Sequence, residues 1–238
     1  WIFLVSKLAG VVGVLFALSV VAVLLQALAY QFVRGVTDVE LGQWLMWFVI
    51  PSALYVIHLS VLAIVAQAIS PNKFVGWGIM LLYLISTIVF AGLGFDHPLI
   101  NYGDAPMPLS EMNGNDYMGA TAWWLSAYWT AFAAVLVVIG HLMWRRGTAV
   151  TLGGQWRTLP LRLRGAPLAY LSVALAVTVG IGALLFYNMN IVNTRFDEDE
   201  MEAHTAQYEK DYAKYLDQPE PVLKDVKLNV DLRPTKRW

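Results

Sequence analysis

Five apolar runs alternate with polar connectors along the first 190 or so residues. The runs expected to cross a membrane are 8–30, 45–69, 74–93, 120–144 and 166–187. Each is about 20 residues or longer, the helical length that a hydrocarbon core of ~30 Å requires. Beyond 189 the pattern changes. Met201, His204, Tyr208, Tyr212 and Tyr215 recur near one helical face, with Lys210 and Lys214 toward the C-terminal end. Thr194-x-x-Asp197 has the form of a capping box, and Asp197–Glu200 places negative charge on a first turn, where the helix dipole favours it. Pro219 and Pro221 end that helix. Val226, Leu228, Val230 and Leu232 then alternate with Lys227, Asn229 and Asp231, the period of a half-buried strand. The predicted fold class is therefore an all-α polytopic membrane protein. It has about five transmembrane helices, followed by an extracytoplasmic helix in a linker (190–221) and a single terminal strand (222–238).

Charge sets the expected orientation. Arg145, Arg146, Arg157, Arg162 and Arg164 crowd one connector that holds no acid. An arginine at the bilayer centre costs roughly 2.5–3.5 kcal/mol on insertion scales, and short arginine-rich loops stay cytoplasmic. A basic surface loop of a soluble protein is the competing reading, and the two apolar flanks oppose it. Alternation then places the N-terminus, Lys7 and Ser70–Lys73 inside. Gln31–Gln43, Gly94–Gly119 and the tail fall outside. Gly94–Gly119 carries four acids, three prolines and no lysine or arginine, which fits that side. The localisation expected from charge is a membrane crossed several times. Ala27-Leu28-Ala29 mimics a signal-peptidase site, but the run before it is too long and lacks a basic start.

Composition agrees: 58% of the 238 residues are hydrophobic and 14% charged, against about 25% charged in soluble chains. The net charge of −1 hides an asymmetry between an apolar part and a polar, acidic tail. There is no cysteine, which excludes disulfides, thiolate zinc sites and thiol nucleophiles. The chain begins at Trp1 and ends at Trp238 behind a charged cluster, and it is expected to be a piece of a longer protein.

Few residues carry candidate chemistry. His58 falls at the middle of the second span, where a polar group is a functional hypothesis by default; the competing reading is a neutral histidine hydrogen-bonded to a neighbouring helix. Pro51 opens the same span at a position that tolerates a missing N–H. Trp123, Trp124, Tyr128 and Trp129 read as an aromatic girdle, and His141 reads as interfacial. Ser172, Ala176 and Gly180 form a small-residue stripe of the kind that lets helices approach closely in lipid. Asp96, His97, Glu111 and Asp116 have no fixed spacing on one element, and a solvated loop is the simpler reading of them. No phosphate-binding loop, H-E-x-x-H helix or G-x-S-x-G elbow is present. The chain is thus expected to hold no catalytic, cofactor or metal site and to bind no nucleic acid.

An ordered set of motifs resembles a known family. It comprises Gly35-x-Thr37-Asp38-x-Glu40-Leu41-Gly42, Asn101-Tyr102-Gly103, Met112-Asn113-Gly114 and Leu142-Met143-Trp144-Arg145-Arg146-Gly147. Tyr187-Asn188-x-Asn190 and Asp225-Val226-Lys227-Leu228-x-Val230-Asp231-Leu232-x-Pro234 complete it. Together these resemble bacterial fusions of a type-2 ABC-transporter permease with a gluzincin-type zinc aminopeptidase. The resemblance implies that 1–189 are permease spans and 222–238 the first strand of the peptidase domain. It also implies a separate ABC ATPase subunit that uses ATP, packing against other permease helices or a second copy in the lipid bilayer, and zinc bound outside this chain. A non-transporting anchor for the peptidase, and a proton-coupled carrier centred on His58, are the other functional readings.

Overall fold

Aliphatic runs this long wind into helix along their whole length, because a helix satisfies its backbone donors and acceptors internally. The computed structural model describes residues 1–35, 42, 45–95, 97–106, 116–144, 159–193, 195–196, 198–216, 218 and 224–229. The chain divides into two units, Trp1–Arg195 and Phe196–Trp238.

The first unit holds helices α1 (Ile2–Arg34), α2 (Ile50–Ile69), α3 (Lys73–Gly92), α4 (Asp116–Met143) and α5 (Ala166–Phe186). Among the described residues, five stretches are long and apolar enough to cross a membrane. They are Ile2–Ala22, Leu45–Ile69, Lys73–Gly92, Gly119–Met143 and Ala166–Val192. This is the architecture of a multi-pass membrane protein. The first stretch starts six residues before the expected boundary. Ile2, Phe3, Leu4 and Val5 are as apolar as the rest of the helix, and a single lysine does not stop it. Lys7 lies inside α1 with its ammonium 5.6 Å from the Phe3 ring.

Proline shapes the start of α2. Pro51 offers no N–H, and its ring crowds the carbonyl four residues back. The preceding turn, Leu45–Val49, is wound as a π-helix, whose wider path accommodates that ring. A second π-helical segment, Tyr187–Val192, prolongs α5. The turn between α2 and α3 closes on Asn72, whose Oδ1 accepts from the Phe74 and Val75 N–H groups at 3.0 Å. That satisfies two orphan donors of a helix start.

α2 is the hub: it touches α1, α3 and α4, and α5 packs on α4. Val61, Val65 and Ala133 are buried at the α2–α4 contact, with Leu8, Ile57, Leu136, Val137 and Ile139 packed around them. The girdle expected on α4 splits in two. Trp123 and Trp124 are exposed, whereas Trp129 turns inward and is buried. The stripe Ser172, Ala176 and Gly180 does not face α4. Ala176 and Gly180 are exposed, Ser172 is exposed too, and nothing would lie within 4 Å of a Cβ at Gly180. α5 instead meets α4 through Thr178, Leu185 and Gly182; a Cβ at Gly182 would stand 3.0 Å from Tyr128 Cε2. Small residues recur on more than one face of this alanine- and glycine-rich helix, so their spacing alone did not choose the contact.

The second unit contains α6 (Glu198–Tyr212), continued by a 3₁₀ turn, Ala213–Tyr215. The ring pairs Tyr208–Tyr212 and Tyr212–Tyr215 lie 4.4 and 6.0 Å apart along one side, as the spacing predicts. Thr194 and Asp197 of the expected capping box lie outside the described residues. No strand forms among the described residues; 224–229 have no regular secondary structure. An alternating segment becomes a strand only when a neighbour fills its ladder, and 230–238 lie outside the described residues.

Candidate functional site

His58 is a fully enclosed polar side chain of α2, 2% exposed. It faces α4, where its Nε2 lies 3.1 Å from Thr130 Oγ1. Thr130 Oγ1 in turn donates to the Ser126 carbonyl at 2.7 Å. A carbonyl only accepts and a hydroxyl has one proton, so the His58 contact is an N–H donation from Nε2. Nδ1 is then a lone pair, and it has no partner among the described residues. The reading of His58 as a histidine bonded to a neighbouring helix describes one ring nitrogen and leaves the other unexplained.

The other wall is a surprise from the sequence. Gly94–Gly119 reads as a solvated loop, yet its stretch from His97 to Ala105 folds back among the helices. Tyr102 donates its hydroxyl to the His58 carbonyl at 3.0 Å, and Tyr83 of α3 donates to the Tyr102 carbonyl at 3.1 Å. The Tyr102 ring meets Trp129 and Phe132 of α4 edge-on, at 5.3 and 5.8 Å. His58, Tyr83 and Trp129 each lie near the middle of their helices, so the loop reaches about half-way along three spans. Non-helical backbone at such depth is tolerated where it is buried in protein or lines a cavity. Both conditions hold here. Gly103 is buried against His58, and Gly103, Asp104 and Ala105 line a cavity of about 370 Å³.

Ser19 of α1, residues 51–58 of α2 including Ser52, Tyr55 and His58, and Ser126 of α4 complete that cavity. Among the described residues, its titratable groups are His58, Tyr55 and Asp104, and no lysine or arginine lines it. Asp104 stays open to the cavity, and the surrounding protein raises its carboxyl above the ordinary aspartate value by desolvation. Burial, followed by the nearby Tyr83 phenol, raises Tyr102 above the ordinary tyrosine value, so it remains a donor across the physiological range.

The remaining sequence candidates take structural places. His97 Nδ1 accepts from the Leu99 N–H at 3.1 Å, and its Nε2 lies 3.2 Å from Asn190 Nδ2 in the π-helical end of α5. These contacts tie the loop to α5. Asp96 and Glu111 lie outside the described residues. Among the described residues, no group of three or more His, Asp or Glu side chains converges on a metal position. His141 is buried and stacked on Trp1, with ring centroids 3.8 Å apart and planes 7° from parallel. Arg162 donates to the Leu142 and Trp144 carbonyls at 2.9 and 3.3 Å, capping the end of α4. Arg157 lies outside the described residues. The partners of His58 were invisible in the sequence: Thr130 and Gly103 are 72 and 45 positions away, with no spacing rule linking them.

No family model, curated protein or solved structure matches the chain.

Proposed function

We propose that this chain is the membrane-spanning permease part of an ABC-type exporter of the bacterial inner membrane. It would be linked to an extracytoplasmic aminopeptidase-like domain and driven by a separate ATPase subunit. The motif order supplies the family part of this reading. The observation that carries transport is the cavity at half-helix depth, whose walls include His58, Asp104 and Ser126. A helix bundle that only anchors a domain gains nothing from a carboxylate and an unpartnered imidazole nitrogen held among its spans, where such groups are costly. Cargo would enter between α2, α4 and the loop. The π-helical segments Leu45–Val49 and Tyr187–Val192 are the natural points for α2 and α5 to pivot, because their backbone bonding already departs from the α pattern.

The test is flux in proteoliposomes that hold the full protein with its ATPase subunit. Ser126→Trp would fill the cavity, so ATP-dependent flux should fall to background while the protein still assembles. Flux unchanged by the block would move the pathway elsewhere. A full protein with no ATP-dependent flux of any cargo would be the anchor.

A further inference from the structure

We infer that the groove between α4 and α5 holds one acyl chain of an anionic phospholipid from the surrounding bilayer, with the lipid phosphate at Arg164. The inference stands apart from the permease reading and needs only that these helices cross a membrane.

The groove has a volume of about 810 Å³. Residues between Ala131 and Val138 of α4 form one wall, residues between Tyr170 and Val177 of α5 form the other, and Trp1 stands at one end. Val138 is buried at its floor, whereas Ala134, Val173 and Val177 are exposed, so the groove opens toward lipid. Among the described residues that line it, only Trp1 and Tyr170 carry a hydrogen-bonding side-chain atom. Their rings meet edge to face at 5.8 Å, and Trp1 is held by its stack on His141. The groove is therefore apolar along its length and polar at one end. A phospholipid has the same pattern, a chain with nothing to hydrogen-bond and a headgroup at one end.

Length separates a chain from a helix as the occupant. Each wall covers two helical turns, about 10 Å. A partner helix that crosses a hydrocarbon core of ~30 Å has to continue past the end where Trp1 and Tyr170 stand. An acyl chain need only enter from the open end and stop below the rings. Within lipid, one site is preferred over another through packing rather than the hydrophobic effect. A chain on the convex face of a single helix touches protein on one side. Between α4 and α5 it touches both walls and the floor, and the contacts add.

Charge selects the headgroup. Arg164 lies two positions before the start of α5 and six before Tyr170, at the end of the groove that carries the rings. It is exposed and has no partner among the described residues. Arg162 is already engaged by the end of α4. Arg145–Arg164 contains no acid to compete for the Arg164 guanidinium. A guanidinium offers planar paired donors that match phosphate oxygens, and the Tyr170 hydroxyl and Trp1 indole N–H add donors at the same level.

The experiment is photo-crosslinking of the full protein in phosphatidylcholine nanodiscs. They carry a trace of either phosphatidylglycerol or phosphatidylcholine with a diazirine in its acyl chain, and the labelled residues are mapped by peptide mass spectrometry. The exposed residues Trp77, Leu82 and Ile88 of α3 report the ordinary lipid annulus. Groove residues should be labelled by the phosphatidylglycerol probe about fivefold above the α3 residues, and about fivefold above their own labelling by the phosphatidylcholine probe. Arg164→Gln should remove the headgroup preference, and Arg164→Lys, which keeps the charge, should retain most of it. Ala134 is exposed, so Ala134→Phe fills the groove without entering the α4–α5 contact and should bring groove labelling down to the level of α3. Equal labelling of the groove and α3, equal labelling of the groove by the two lipids, or a preference that survives Arg164→Gln overturns the proposal. An unlabelled groove, with a disulfide formed between two copies carrying Ala134→Cys, overturns it in favour of a second copy as the occupant.

Discussion

The hydroxyl of Tyr102 donates to the backbone carbonyl of His58 at 3.0 Å, joining a loop to the middle of a helix 44 positions earlier. The ring is wedged between Trp129 and Phe132, so contact area rather than the hydroxyl dominates the docking. Tyr102→Phe should lower stability by about 1 kcal/mol, the usual net worth of one hydrogen bond. Tyr102→Ala should lose on the order of 3 kcal/mol, as large aromatic deletions do. Thermal unfolding followed by tryptophan fluorescence checks both. Equal losses would show that the hydroxyl, not the ring, holds the loop.

Gly103 and Gly94 separate backbone conformation from close approach. Both adopt φ of +79°, which an L side chain rarely takes. Nothing lies within 4 Å of a Cβ at Gly94, whereas His58 is in the way at Gly103. Gly94→Ala should cost only the conformational penalty, roughly 1–2 kcal/mol. Gly103→Ala should cost more, because its Cβ would stand 3.2 Å from His58 Cβ. Matching losses of stability in the two variants, read by thermal unfolding, would refute the close-approach argument.

The spans were legible because length, apolarity and the arginine cluster are properties of contiguous sequence. The site was legible only in part. His58 stood out as a polar residue at mid-span, but its environment is made by Tyr102, Gly103 and Thr130, which come from a different loop and helix. The loop itself misleads. Its turn residues and acids have the composition of a solvated connector, and composition does not record that Tyr102 has three helices to pack against. The stripe at Ser172, Ala176 and Gly180 does not meet α4, and its spacing does not say which partner helix it would suit.

Asp104 makes a pH prediction with a definite sign. Its folded-state carboxyl titrates above the ordinary value of 3.8 because burial disfavours the charge. A group raised in this way contributes stability below its unfolded value and loses it as pH rises through the folded value. Without ligand, Asp104→Asn should therefore melt above the unaltered protein at neutral pH, and the gap should close as pH falls below the ordinary carboxylate range. Melting curves across that range give the answer. A gap that widens on acidification would mean that Asp104 is instead held in its charged form.

Orientation is open to direct chemistry because the chain has no native cysteine. Under the arginine-inside assignment, Ser110→Cys and Thr205→Cys should react with an impermeant thiol reagent on intact cells, and Thr151→Cys should not. Labelling at position 151 alone would invert the protein, and labelling at all three positions would break the alternation of spans.

Arg162 lies in the arginine-rich connector, the cytoplasmic surface that the permease reading makes available to an ATPase subunit, yet its guanidinium is spent within the chain. Its Nη1 bonds the Leu142 and Trp144 carbonyls at 2.9 and 3.3 Å. Those carbonyls belong to the last turn of α4 and the residue after it, where helix geometry leaves acceptors unpaired and the dipole favours a cation. The expected effect of Arg162→Gln is a loss of roughly 0.5–2 kcal/mol in stability. Both bonds leave one nitrogen, so the three donors of an ammonium can replace them, and Arg162→Lys should recover most of that loss. Co-purification of the ATPase with the full protein should be unchanged in the lysine variant. Undiminished stability in Arg162→Gln, together with loss of the ATPase, would return this arginine to the docking surface and remove it from the end of α4.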